Sequence, residues 1–120
     1  MATILVVEDT PANLALARKL LKADHHDVLA ATTAHAGIQL ARQHAPDLVL
    51  MDIGLPDMDG WDALTVIRQD PQTAGLRVIA FTAHAMVGDE ERALDAGFDG
   101  YLSKPIDFAS FARSVQDLLP

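Results

Sequence analysis

Asp47-Leu48-Val49-Leu50-Met51-Asp52 is the stretch that decides the fold. Four apolar residues run unbroken between two carboxylates. A strand with one wet face alternates apolar and polar residues; a strand buried on both faces reads as a continuous apolar run. Working outward, the same pattern recurs at residues 4–7, 28–31 and 78–81, and a weaker fifth run is Gly100-Tyr101-Leu102. The intervening segments have helical spacing. Leu14, Ala17, Leu20 and Leu21 share one face, Ile38 and Ala41 another, with Ala34 in line. Phe108, Phe111, Val115 and Leu118 or Leu119 form a third. Strand and helix alternate five times, which predicts an α/β domain: a doubly wound, five-stranded parallel sheet with right-handed crossovers. Periodicity does not give the strand order.

The punctuation agrees. Thr10-Pro11 reads as N-cap and first helical residue, with the Thr10 hydroxyl free to accept an orphan N–H. A third helix begins near Trp61 and ends before Pro71 and Gly75. A fourth covers residues 90–96, and Gly97 follows it as the residue just past the C-cap.

At 120 residues, residues 1–120 are read as one domain, and 50% hydrophobic content supplies a core. There is no cysteine, which excludes disulfides, zinc-thiolate sites and a thiol nucleophile. The formal net charge of -8 argues against direct nucleic-acid binding, which needs lysine and arginine clusters. Met1-Ala2-Thr3 lacks a basic leader region, and no apolar run is long enough to span a bilayer. The expectation is a soluble, cytoplasmic protein without membrane contact.

Ligands in such sheets bind beyond the carboxyl ends of the strands. The residues there are Glu8-Asp9 after the first strand, Asp52 after the third, Thr82 after the fourth and Lys104-Pro105 after the fifth. Three neighbouring carboxylates repel one another, so one must take up a proton or a cation must neutralise them. With neither cysteine nor histidine at these ends the donors are all oxygen, which selects a hard ion, Mg²⁺ or Mn²⁺. Lys104 adds a mobile cation and Thr82 a hydroxyl donor. A carboxylate nucleophile, a metal and a lysine together make a phosphoryl-transfer site.

In order and spacing, Val6-Val7-Glu8-Asp9, Asp47-Leu48-Val49-Leu50-Met51-Asp52, Leu55-Pro56-Asp57-Met58-Asp59-Gly60, Phe81-Thr82-Ala83 and Lys104-Pro105 resemble the receiver domains of two-component response regulators. The resemblance covers the whole chain. The segment 83–105, with Gly88-Asp89-Glu90-Glu91-Arg92, is similar to single-domain receivers that regulate cell division. It implies a flavodoxin-like sheet in the order 2-1-3-4-5. It implies that Asp52 is the phosphoryl acceptor and that Glu8, Asp9, Asp52 and the backbone carbonyl of Gly54 hold Mg²⁺. Thr82 and Lys104 would bind phosphoryl oxygens, and the Lys104–Pro105 bond would be cis. Thr82 and Tyr101 would form a switch that alters the face made by the fourth helix, fifth strand and fifth helix, roughly residues 86–115. The implied partners are a histidine kinase or histidine phosphotransfer protein and a downstream protein at that face. The chain would be a monomer or a phosphorylation-dependent dimer. Gly54 and His84 depart from the larger or different residues common at these positions in the family, which bears on the lifetime of the phosphorylated state.

Plainer readings compete residue by residue. Glu8-Asp9 can favour a helix start, Asp52 can form a turn, Thr82 can cap and Lys104 can be a solvated charge. Asp57 and Asp59 read as loop and cap residues, Trp61 as packing, and His25, His26, His35 and His44 as surface residues. At the level of function, the alternatives are a Mg²⁺-dependent phosphatase with an aspartyl nucleophile and a phosphorylation-independent scaffold. The first expects its nucleophile after the first strand with a second aspartate two residues on, where this chain has Glu8-Asp9-Thr10-Pro11. The second expects missing site residues, and none is missing. The chain reads as a signalling phosphoacceptor, not an enzyme acting on a separate substrate.

Overall fold

The computed structural model describes residues 2–82, 89–107 and 109–120. The order is β1 (Thr3–Val7), α1 (Pro11–Ala23), β2 (Asp27–Ala31), α2 (Ala34–His44), β3 (Leu48–Asp52), α3 (Gly60–Gln69), β4 (Val78–Thr82), α4 (Asp89–Ala96), β5 (Gly100–Ser103) and α5 (Phe111–Leu118). All pairings are parallel, in the order β2-β1-β3-β4-β5. The expected fold and strand order are therefore observed.

The continuous apolar strands are buried on both faces because helices cover both. Leu5, Val7, Val49, Met51, Val78 and Ala80 pack with Ala34, Ile38 and Ala41 of α2, Ala63, Leu64 and Ile67 of α3, and Ala93 of α4. Ile4, Val6, Leu48, Leu50, Ile79 and Phe81 pack on the other side with Ala17 and Leu21 of α1 and Phe111 and Val115 of α5. Alternate residues of one strand thus feed two cores. Every residue of β3 and β4 is buried, while the edge strands β2 and β5 are partly exposed.

Helix ends follow local chemistry. Gly97, at φ 113°, takes the left-handed turn after α4. Asp59 caps α3 by accepting from Asp62 N–H. Two expectations need correction. Thr10 precedes α1, but its side chain makes no capping bond. It contributes backbone instead: its N–H donates to Glu8 Oε1 at 3.2 Å and its carbonyl accepts from Leu14 N–H. His26 is not a surface residue but 6% exposed. His25 adopts a left-handed φ of 66°, the chain turns, and the His26 ring tucks under β1, where Nδ1 accepts from Ala2 N–H at 3.1 Å. The last helix starts at Phe111. Phe108, read as part of its apolar face, lies outside the described residues, as do Ala83, His84, Met86 and Gly88.

Candidate functional site

The parallel register brings the strand ends to one edge of the sheet. Val7 pairs with Met51, Asp52 with Phe81, and Thr82 with Ser103. The next residue after β1 is Glu8 and the next after β5 is Lys104. Sequence positions nearly a hundred residues apart therefore meet.

One carboxylate oxygen each from Glu8, Asp9 and Asp52 lies within 4.8 Å of the others. Glu8 is fully buried and Asp52 is 6% exposed, while Asp9 is exposed and marks the open side. Glu8 Oε1 accepts from Thr10 N–H and, at 3.5 Å, from the Asn13 amide. Its other oxygen forms an ion pair with Lys104 Nζ. The same ammonium is 3.2 Å from Asp52 Oδ2 and 5.0 Å from the centre of the Phe81 ring. Asp52 Oδ1 accepts from Gly54 N–H at 3.0 Å. Thr82 is 4% exposed, and its carbonyl accepts from Lys104 N–H at 2.8 Å. The Lys104–Pro105 bond is cis, as expected. The N-terminus of α1, with its partial positive charge, begins beside the acidic pair.

The arrangement concentrates negative charge at a site where Glu8 and Asp52 are buried and Asp9 is exposed. Lysine supplies one compensating cation. The donor set, all oxygen and all carboxylate, fits a small hard divalent ion. Gly54 is exposed, and a Cβ there would meet only Asp52 Oδ1, at 3.9 Å, so space is open beside Asp52. Gly60 is different: its N–H donates to the Ile53 carbonyl at 2.7 Å, and a Cβ would lie 2.7 Å from Ile53 Cα.

Asp57 and Asp59 do not join the acidic cluster. Asp59 caps α3, and Asp57 accepts from the first amides of α2. His35 is exposed, yet it pairs with Asp57. Trp61 packs edge-on against Phe98, with ring centres 5.6 Å apart. Tyr101 pairs in register with Ala80, so it shares a face of the sheet with Thr82 and is its diagonal neighbour. Tyr101 is half-buried against the α2–α3–α4 core. Sequence reasoning passed over Asn13 and Phe81 as site residues. Asn13 carried a signal, since it stands on the first turn of a helix entered directly from the acidic pair.

The family model for the response regulator receiver domain matches residues 4–116. The polar-differentiation response regulator DivK of Brucella ovis is 37% identical over 117 residues, covering 98% of this chain and 95% of that one. The receiver domain of the sensor histidine kinase PA1611 from Pseudomonas aeruginosa PAO1, solved with a magnesium ion coordinated in its active site cleft, is 33% identical. It covers 98% of this chain and 96% of that one, with a TM-score of 0.86. The chemotaxis response regulator CheY4 of Vibrio cholerae superposes with a TM-score of 0.91 at 20% identity, covering 99% of both chains, a likeness of fold.

Proposed function

The chain belongs to the response regulator receiver domain family of two-component signalling, and from that premise we propose that Asp52 is its phosphoryl acceptor. The single observation carrying this reading is that Asp52 shares a carboxylate cluster with Glu8 and Asp9 and lies 3.2 Å from the Lys104 ammonium. An Asp52 oxygen attacks the phosphorus of a phosphohistidine. The new P–O bond forms as the P–N bond breaks, and the imidazole leaves with the electron pair and takes a proton. Glu8, Asp9 and Asp52, with the Gly54 carbonyl, would hold Mg²⁺, with Mn²⁺ able to substitute. The ion supplies charge neutralisation that lets an anionic carboxylate approach an anionic phosphoryl group. Lys104 and the Thr82 hydroxyl receive phosphoryl oxygens. A histidine kinase or histidine phosphotransfer protein is the donor, in the cytoplasm. The phosphorylated state changes the face of α4, β5 and α5 and so its affinity for a downstream protein.

Acetyl phosphate with Mg²⁺, followed by intact mass measurement, tests the assignment. One phosphoryl group should appear on the wild type and none on Asp52→Asn. A phosphoryl group retained by Asp52→Asn, or acquired at full rate in excess EDTA, would overturn it.

A further inference from the structure

The β3–α3 loop, residues 53–59, forms one wall of the acidic site, and Gly54 within it donates to Asp52. Its far end is tied to a different element. Asp57 Oδ1 accepts from Ala34 N–H at 2.8 Å and Oδ2 from His35 N–H at 3.0 Å, and the His35 ring also meets Oδ2. Ala34 and His35 are the first two residues of α2, whose amides have no partner within the helix. The helix already has its own cap: Thr33 Oγ1 accepts from Ala36 N–H at 3.1 Å. So α2 carries two caps, one local and one delivered by the loop of the acidic site. The His35 and Ala34 backbone donors hold the Asp57 carboxyl well below the usual carboxylate range.

We propose that Asp57 is a positioning residue for the acidic site: by clamping the first turn of α2 it holds the Gly54 loop ready to receive the metal ion. The inference rests on the metal reading given above. A loop without this clamp would have to be ordered when the ion binds, at a cost in conformational entropy. A clamped loop is ordered beforehand. The coupling is reciprocal, so the ion strengthens the clamp by the same factor by which the clamp strengthens binding of the ion.

The test is Mn²⁺ titration of the unphosphorylated full chain, followed by electron paramagnetic resonance of the free ion. Asp57→Ala should raise the Mn²⁺ Kd about fivefold or more. Thr33→Ala removes the other cap of the same helix; it should lower Tm yet leave the Kd within about twofold of wild type. Asp57→Asn should fall between, because its carbonyl oxygen can still accept from Ala34 while its amide cannot accept from His35; it decides the matter if Asp57→Ala does not fold. Hydrogen exchange gives a second readout: Mn²⁺ should increase protection of residues 34–37 in wild type and not in Asp57→Ala. A wild-type Kd in both Asp57 variants, or an equal loss in Thr33→Ala, would overturn the inference while leaving the metal site standing. If wild type takes up no Mn²⁺, or Glu8→Gln binds it as tightly, the metal reading falls and the inference with it.

Discussion

Lys104 Nζ lies 3.2 Å from Asp52 Oδ2 while forming an ion pair with Glu8, whose side chain is fully buried. A buried carboxylate without a counter-ion is costly, and the chain supplies one from 96 residues away.

Lys104→Met should therefore destabilise the metal-free protein by about 3 kcal/mol, the cost of stranding a buried charge. Mg²⁺ should recover much of that loss, since it can neutralise the same oxygens. Thermal unfolding with and without Mg²⁺ measures both. A variant as stable as wild type without Mg²⁺ would mean that Glu8 is compensated by another group.

Thr82 and Tyr101 are diagonal neighbours on one face of the sheet. If a phosphoryl oxygen draws the Thr82 hydroxyl inward, Tyr101 should complete the burial it has already half made. Beryllofluoride should then alter hydrogen exchange in β5 and the helices beside it, and Thr82→Ala should abolish that change. Changes confined to residues 52–60, or unaltered in Thr82→Ala, would rule out the coupling.

Gly54 within the site loop and Gly60 just after it should respond differently. At Gly60 a Cβ would sit 2.9 Å from the Asp52 carbonyl oxygen and closer still to Ile53 Cα, both backbone atoms that cannot yield cheaply. Gly60→Ala should cost about 1–3 kcal/mol and slow phosphorylation by moving Asp52. Gly54→Ala meets open space and should change stability by less than about 0.5 kcal/mol. Urea unfolding of both variants separates them, and equal losses would contradict the packing described.

Acid should act through Asp57. Backbone N–H groups of His35 and Ala34 lower its pKa from 3.8 in the folded state. A depressed carboxylate contributes stability above its unfolded pKa and loses it as pH falls. The stability difference between wild type and Asp57→Asn should shrink as pH drops through about 4 and below. Urea unfolding across that range reads it directly; a difference that grows toward low pH would contradict the sign.

Much of this molecule is legible in one dimension. Continuous apolar runs such as residues 48–51 announce strands covered on both sides, and Gly97 and Asp59 announce helix ends, because backbone geometry and hydrogen-bond demand act within a few residues. The acidic pair, Asp52, Thr82 and Lys104 could be named because each directly follows or ends a strand, and parallel strands deliver their ends to one edge. Contacts that cross between elements could not. Nothing along the chain singles out Arg68, in the last turn of α3. In the fold it donates to the carbonyls of Ala74, Leu76 and Gly97 and to Asp99, joining α3 to the ends of α4 and β4. His26 reads as polar and exposed, yet a left-handed turn at His25 buries it. Asp57 reads as a turn residue, and only folding sets it on the first amides of a helix 22 residues earlier in the chain. The elements, their faces and the chemistry at the strand ends can be read along the chain, since they depend on local periodicity and on which residues follow each strand. Which distant donors and cations each carboxylate meets is set by packing, since that depends on how separate elements lie side by side.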